Sequence, residues 1–513
     1  MIMKNYYIDD ITWNDLSMEQ VYDRINRANS SVGQEYLKKI LRNCIFDESV
    51  LKNRSGRADY FTSDPDYLKS LQKVFRDLGK TKKISLHDYI FRFNEIKPSG
   101  NAAHYLMILL LLAAAAMIFI NPVAGIIALV IMFIVNISTY FKYKAAAEGY
   151  FMCFKYIVRM LWAASRIIKL SAGKDSAFND LCGRLKTDYD SLKPLKRGSW
   201  LLTNSVSGSL VDVIMDYIRM LFHVDIIKFN NMRRLAQDRT DIIEDLFNTL
   251  GEIESDICIF LYRQSLDSWC IPEFTGHNDR TSEFPERLSV KAMYHPLTDK
   301  IVKNDICVSN SVLLTGSNAS GKSTFLKQTA INQIFAQTIY TCLADRFKTG
   351  FFKVLSSMAL TDNILGNESY FIVEIRSLKR IFDEIDGSEN ENGRAGAVMC
   401  FIDEVLRGTN TKERVAASSQ ILKNLSEKGA LCFAATHDIE LTSLLDGIMD
   451  NYHFEEFVNG NDIEFDYKIK PGPATTRNAI KLMQAYGFDR AITDAANEML
   501  LNEKTLYNDQ VRV

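Results

Sequence analysis

Residues 316–324 read Gly316-Ser-Asn-Ala-Ser-Gly321-Lys322-Ser323-Thr324, a match to the spacing GxxxxGK[ST]. The apolar run Val312-Leu313-Leu314 precedes it and a helical stretch follows, which is the strand–loop–helix setting this pattern requires. Glycines let the backbone curl so that successive N–H groups, together with a helix N-terminus, point at phosphate oxygens. At this spacing Lys322 reaches the β- and γ-phosphates of a nucleotide, and Ser323 offers its hydroxyl to Mg²⁺.

Working outward, two further apolar runs end in chemistry-bearing residues. Val398-Met-Cys-Phe-Ile402 reads as a buried strand and ends in Asp403-Glu404. An Asp at a strand's C-terminal end holds Mg²⁺ directly or through water, and the neighbouring Glu404 can deprotonate an attacking water. Ala430–Ala435 is a third strand and ends in Thr436-His437, where a histidine can sense the γ-phosphate or align the water. Short strands at Ser311–Thr315, Ala397–Ile402 and Ala430–Ala435 alternate with helical stretches, the pattern of an α/β domain with a parallel sheet. The polar stretch Asp383–Gly396 reads as a loop.

The order of these segments resembles the ATPase domain of the MutS DNA-mismatch-repair family. That family's run of GPNxGGKST, DDLxxxxSTFxxE, DExxRGT and ATH is similar to GSNASGKST (316–324), DNILGNESYFIVE (362–374), DEVLRGT (403–409) and ATH (435–437). Pro471-Gly-Pro-Ala resembles the family's last strand and turn, and Tyr294-His295-Pro296 its RHP element. Tyr22–Arg42 is similar, more weakly, to the opening of its helical core, and Arg54–Phe61 echoes that core's R-x-D-x-V element. The resemblance implies a P-loop NTPase of ABC type using ATP and Mg²⁺. Gly316, Asn318, Gly321, Lys322, Ser323 and Thr324 would bind phosphates and metal, Asp403 would support Mg²⁺, Glu404 would be the general base and His437 the switch histidine. Ser369 falls where the family supplies a serine to the partner's γ-phosphate, which implies a homodimer with two composite sites. Ser317 and Ser320 depart from the family's Pro and Gly, Asn363 from its second Asp and Leu406 from a Gly. The aromatic expected against adenine, ahead of Asn304-Asp305, is aliphatic here, near Ile301 or Val302.

The rest of the chain sets the context. The 513 residues carry a net charge of −2, 47% hydrophobic and 24% charged residues, which excludes a disordered chain, a fibrous repeat and a strongly basic nucleic-acid coat. Nine scattered cysteines form no CxxC pair, so neither a zinc site nor a disulfide framework is expected. The abrupt exception to this ordinary texture is Tyr105–Ile120, YLMILLLLAAAAMIFI, continued after Asn121-Pro122 by VAGIIALVIMFIVNISTYF (123–141). Ala102–Ile120 and Val123–Phe141 are 19 residues each, about 28 Å as helices and close to the hydrocarbon thickness of a bilayer. Residues 142–197 follow with 12 Lys/Arg against 5 Asp/Glu. The expectation is a membrane hairpin with its tip outside and both chain ends at the cytoplasmic face; the alternative is a hairpin buried in a core or an oligomer.

Four segments are therefore expected: an N-terminal helical MutS-like core (1–101), a transmembrane helical hairpin (102–141), a helical core and lever region (142–285) and the ATPase domain (286–513). Trp200–Leu221 and Asp238–Leu261 read as amphipathic helices, and Arg233-Arg234 as a solvated helix face. The chain is expected to begin in the helical core, with no Phe-x-Glu wedge of the kind that reads mismatches at its start. The expected function is a membrane-tethered, dimeric ATPase that binds double-stranded or branched DNA. The alternative is a nucleotide-driven switch acting on a protein partner at the membrane.

Overall fold

A computed structural model describes residues 5–81, 100–172, 177–196, 210–275, 286–317, 320–358, 370–389, 397–407, 409–459 and 462–474, with scattered positions from 480 to 499. The chain divides into two compact units. One gathers Met1–Ile25, Ile40–Ser55 and Arg263–Val513; the other gathers Asn26–Lys39 and Gly56–Tyr262.

The first unit is mixed α/β. Its main sheet runs in the spatial order Phe352–Ser357, Ala397–Asp403, Leu431–Ala435, Ser311–Thr315, Met449–Asn459, Asp462–Pro471. The first five strands are parallel and the last returns antiparallel. Strands buried on both faces have no alternation to show, and Ser311–Thr315 and Leu431–Ala435 are buried at every position. The register aligns Ala435 with both Asp403 and Leu314, so the three central strands end side by side. A second, four-stranded sheet joins Glu273–Phe274, Arg346–Thr349, Leu288–Met293 and Asn304–Val308.

The N-terminus belongs to this unit, which the expected segment 1–101 did not foresee. Nor is that segment all helical, because Asn5–Tyr7 pairs antiparallel with Asn43–Ile45 through buried Tyr6, Cys44 and Ile45. The short helix Asp10–Asp15 covers the open edge of strand Phe352–Ser357. Ser356 donates its N–H to Thr12 Oγ1 (3.1 Å) and its hydroxyl to Asp15 Oδ2 (2.7 Å), and Met358 N–H also reaches Asp15 (3.0 Å). Arg263 is buried in the same unit, with Nε on Thr341 Oγ1 (2.9 Å) and a second nitrogen on Ser55 Oγ and the Tyr340 carbonyl (both 3.0 Å). Asp383–Gly396 is not wholly a loop: helix Tyr370–Glu389 continues through its first half. Ile385 is buried there, and Asp383 and Glu384 pair with Lys379 and Lys353 (2.6 Å each), which holds the extra turns.

The second unit is helical. Phe61, Phe75, Phe154, Phe178 and Phe247 are fully buried in one apolar cluster, with Phe178 5.2 Å from Phe61 and 5.9 Å from Tyr67 between ring centres. The start of helix Ser31–Arg42 is capped by the buried Glu254 carboxylate, which accepts from Asn29 N (2.6 Å), Ser30 N (3.1 Å) and the Ser30 hydroxyl. A Cβ at Gly33 would stand 2.2 Å from that carboxylate, so only glycine fits. Burial raises Glu254 to about 7 against these bonds.

The hairpin segment forms helices Ala102–Met117 and Pro122–Ser171. The second does not stop at 141, because Lys142–Ser171 contains no proline or turn cluster to break it. Within it, Pro122–Ala145 is long and apolar enough to cross a membrane by length and composition, and only 17% of its most apolar stretch is buried. Arg233 departs from expectation: it is buried, and burial with Arg234 nearby lowers its pKa, because it faces the inside of helix Val224–Gln237.

Candidate functional site

The loop that follows strand Ser311–Thr315 bends through Gly316 and Gly321, at φ +140° and +107°, which side chains other than glycine rarely adopt. A Cβ at Gly316 would stand 2.9 Å from the Phe454 carbonyl oxygen, and one at Gly321 would stand 3.1 Å from Tyr467 Cδ1. Gly321 caps helix Lys322–Thr338, so the first N–H groups of that helix face the loop's interior. Lys322 is buried and donates to the carbonyls of Gly316 and Ser317 (2.7 Å each). Burial lowers its pKa, opposed by Asp403, Glu404 and Glu456. Ser323 and Thr324 lie exposed in the first helical turn.

The neighbouring strand ends complete the cluster. Burial raises the Asp403 carboxyl, while a hydrogen bond from Ser323 pulls it down. Glu404 sits at φ +61°, a costly left-handed conformation fixed by its N–H on the Ala435 carbonyl (2.9 Å). Its Oε1 is 3.2 Å from His437 Nδ1 and its Oε2 is 2.7 Å from Arg407 Nε. Asp438 braces the turn beyond His437 with a two-bond pairing to Arg414 (2.8 and 2.6 Å). Of the residues expected at the site, Gly316, Gly321, Lys322, Ser323, Asp403, Glu404 and His437 therefore meet at the C-terminal ends of adjacent parallel strands. Thr324 is one residue beyond in the helix. Asn318 and Ser369 lie outside the described residues.

Four contributors were given no site role by the sequence reading. Glu374, buried and raised by that burial, accepts from the Arg407 N–H (3.2 Å) and so holds the segment after Glu404. It was visible as the closing Glu of DNILGNESYFIVE. Ser317, where the family has Pro, donates its hydroxyl to Glu456, a bond that Pro could not make. Tyr467 offers an aromatic face from strand Asp462–Pro471, and Asn304 accepts the Ile469 N–H (2.9 Å) and donates to the Tyr467 carbonyl (3.1 Å), fixing that strand. Nothing in the local sequence near 301–302 could point to a ring 165 residues later. His295, next to Lys327, is buried and its pKa falls to about 4, so it is a neutral packing residue.

Hard oxygen donors on Ser323 and Asp403, beside a glycine-cradled helix start, suit a magnesium-bound phosphate chain. The comparisons agree with that class. Residues 312–503 match the family model for MutS domain V. The DNA mismatch repair protein MutS of Natronomonas pharaonis is 32% identical over 284 residues, covering 53% of this chain and 31% of the relative. That of Thermus thermophilus is 28% identical over 229 residues, covering 44% of this chain and 27% of the relative. The same protein of Lactobacillus helveticus is 29% identical over 285 residues, 53% and 31% of the two chains. Residues 312–503 carry the MutS domain V match, and the similarity to MutS proteins is confined to the C-terminal part of the chain. It spans less than a third of the length of these relatives.

Proposed function

We propose that the chain binds and hydrolyses ATP as a homodimer tethered to the cytoplasmic face of a membrane by residues 102–141. The observation that carries this reading is the convergence of Lys322, Ser323, Asp403, Glu404 and His437 on one glycine loop. Backbone N–H groups of the loop and helix start bind the phosphate oxygens. Lys322 exchanges its two loop carbonyls for β- and γ-phosphate oxygens. Ser323 and Asp403 would hold Mg²⁺, which would supply neutralisation of phosphate charge. Glu404 takes the proton of the attacking water, and His437, 3.2 Å away, orients that carboxylate. Tyr467, against the loop, is the aromatic face for the adenine. Ser369 is assigned to the partner's γ-phosphate by resemblance.

The exposed apolar surface of Pro122–Ala145 supports the membrane tether. Carbonate extraction of the intact chain tests it: retention in the pellet is expected, and release would remove the tether. DNA binding rests on likeness to relatives named for DNA mismatch repair. Saturable binding of duplex or branched DNA that falls steeply with salt is expected. Absence of such binding would leave the second reading, a nucleotide-driven switch for a membrane protein partner. The ATPase reading is tested by Lys322→Ala, which should abolish ATP binding; unchanged binding would overturn it.

A further inference from the structure

We propose that helix Leu210–Phe222 sets its exposed apolar face into the headgroup layer of the bilayer, a third membrane element beside the hairpin. This rests on the membrane reading of residues 102–141. The helix reads LVDVIMDYIRMLF, which sets Val213, Ile214, Tyr217 and Ile218 at i, i+1, i+4 and i+5 on a single face. All four are exposed, at 52%, 55%, 52% and 37%. The other side looks inward: Met215, Met220, Leu221 and Phe222 are half-buried, and Arg219 is buried while paired with Asp216 (2.8 Å). A contiguous apolar stripe facing solvent marks a partner surface.

The contacts at its C-terminal end say which partner. Asn136 of the second hairpin helix donates to the Leu221 carbonyl (3.0 Å), and its own carbonyl meets His223 Nε2 (2.9 Å). His223 Nδ1 lies 2.9 Å from His104 Nδ1 on the first hairpin helix, and Tyr140 donates to Asp225 Oδ2 (2.8 Å). His104 is in the first turn after Ala102, and Asn136 and Tyr140 are in the last turns before Phe141. These bonds therefore pin the C-terminal end of the helix at the hairpin's base, the level where hydrocarbon gives way to headgroups. On the hairpin itself Leu106, Leu109, Ile134 and Phe141 are exposed as well. The helix carries Asp212, Asp216 and Arg219 and no other charge, so headgroup attraction cannot hold it. Apolar burial must, with the Tyr217 phenol at the water boundary.

The test uses the full chain reconstituted in phosphatidylcholine vesicles, with a photoreactive diazirine amino acid in place of Ile214 or Ile218. Matched labels replace Val130 in the hairpin and Asp23 on the exposed surface of the other unit. Crosslinking to lipid is expected at 214, 218 and 130 and its loss at 23, with yields at 214 unchanged from low to high salt. Lipid crosslinks at 130 without any at 214 and 218 would overturn the inference and leave the membrane reading standing. No lipid crosslinks at any position would overturn both. Crosslinks from 214 to a second copy or to another protein, or a yield that collapses in salt, would also overturn it.

Discussion

Helix Lys322–Thr338 and helix Pro122–Ser171 reverse the usual placement of polar and apolar side chains, in opposite senses. In the first, Gln328, Thr329, Asn332, Gln333, Gln337 and Thr338 are all buried. In the second, Val123, Ile126, Ile127, Val130, Ile131 and Ile134 are all exposed. Three of the buried amides, Asn332, Gln333 and Gln337, serve backbone groups around the sheet. Gln337 accepts the Phe352 N–H (2.9 Å) and donates to the Phe352 carbonyl (3.0 Å), Asn332 accepts the Leu343 N–H (2.6 Å), and Gln333 donates to the Gly350 carbonyl (3.0 Å). Without these amides the buried backbone groups around the sheet would lack partners. The lesson is that a side chain's place follows from what surrounds it: hydrogen-bonding backbone in one helix and, on the proposed reading, lipid in the other.

The largest expected effect falls beside that first helix, at the strand end facing its loop. Glu404→Gln should cut ATP hydrolysis by about 10²–10⁴-fold while ATP binding persists, read by turnover and by nucleotide retention. Unchanged turnover would remove Glu404 from the chemistry. Next comes a buried charge with no such loop. The Glu254 carboxyl titrates near 7 when folded against its ordinary 4.5, so its protonated form is favoured by the fold. Its contribution is fully present below about pH 4.5 and is lost as pH rises through 7, about 3 kcal/mol in all. Glu254→Gln should flatten the fall in denaturation midpoint between pH 5 and 8; an equal fall in both proteins would refute the assignment. Gln337→Leu leaves the Phe352 N–H and carbonyl without partners and should cost about 2 kcal/mol in chemical denaturation. A loss below the error of the measurement would mean those groups find other partners. The smallest effect sharpens the other side: Val130→Ser, at an exposed position, should change stability by less than about 0.5 kcal/mol. A larger loss would mean that Val130 is packed against protein.

The parts of the fold legible in the sequence were those with strong local signatures. Ser311–Thr315 was read to the residue, and Ala397–Asp403 and Leu431–Ala435 to within one, because continuous apolar runs bounded by Gly or charged residues have few other readings. Lys322, Asp403, Glu404 and His437 were legible because each follows such a run. Long-range supports were not. Thr12 and Asp15 lie more than 340 residues from Ser356, and no local pattern links a six-residue helix to a sheet edge. Tyr467 and Glu456 reach the loop from a returning hairpin whose placement depends on tertiary pairing. Arg233 misled for a related reason: its long apolar stem packs inward while its charge reads as solvent-facing.

Helix Pro122–Ser171 has one further consequence. Its 50 residues run unbroken for about 75 Å, with the proline confined to the first position. Such a rod behaves as a lever. Tilting a straight rod of this length by about 5° about its outer end swings the opposite end by about 7 Å. On the proposed membrane reading, changes in bilayer thickness or curvature would then be felt mechanically among Phe154, Ile157 and Leu161, which lie in the apolar cluster of the helical unit.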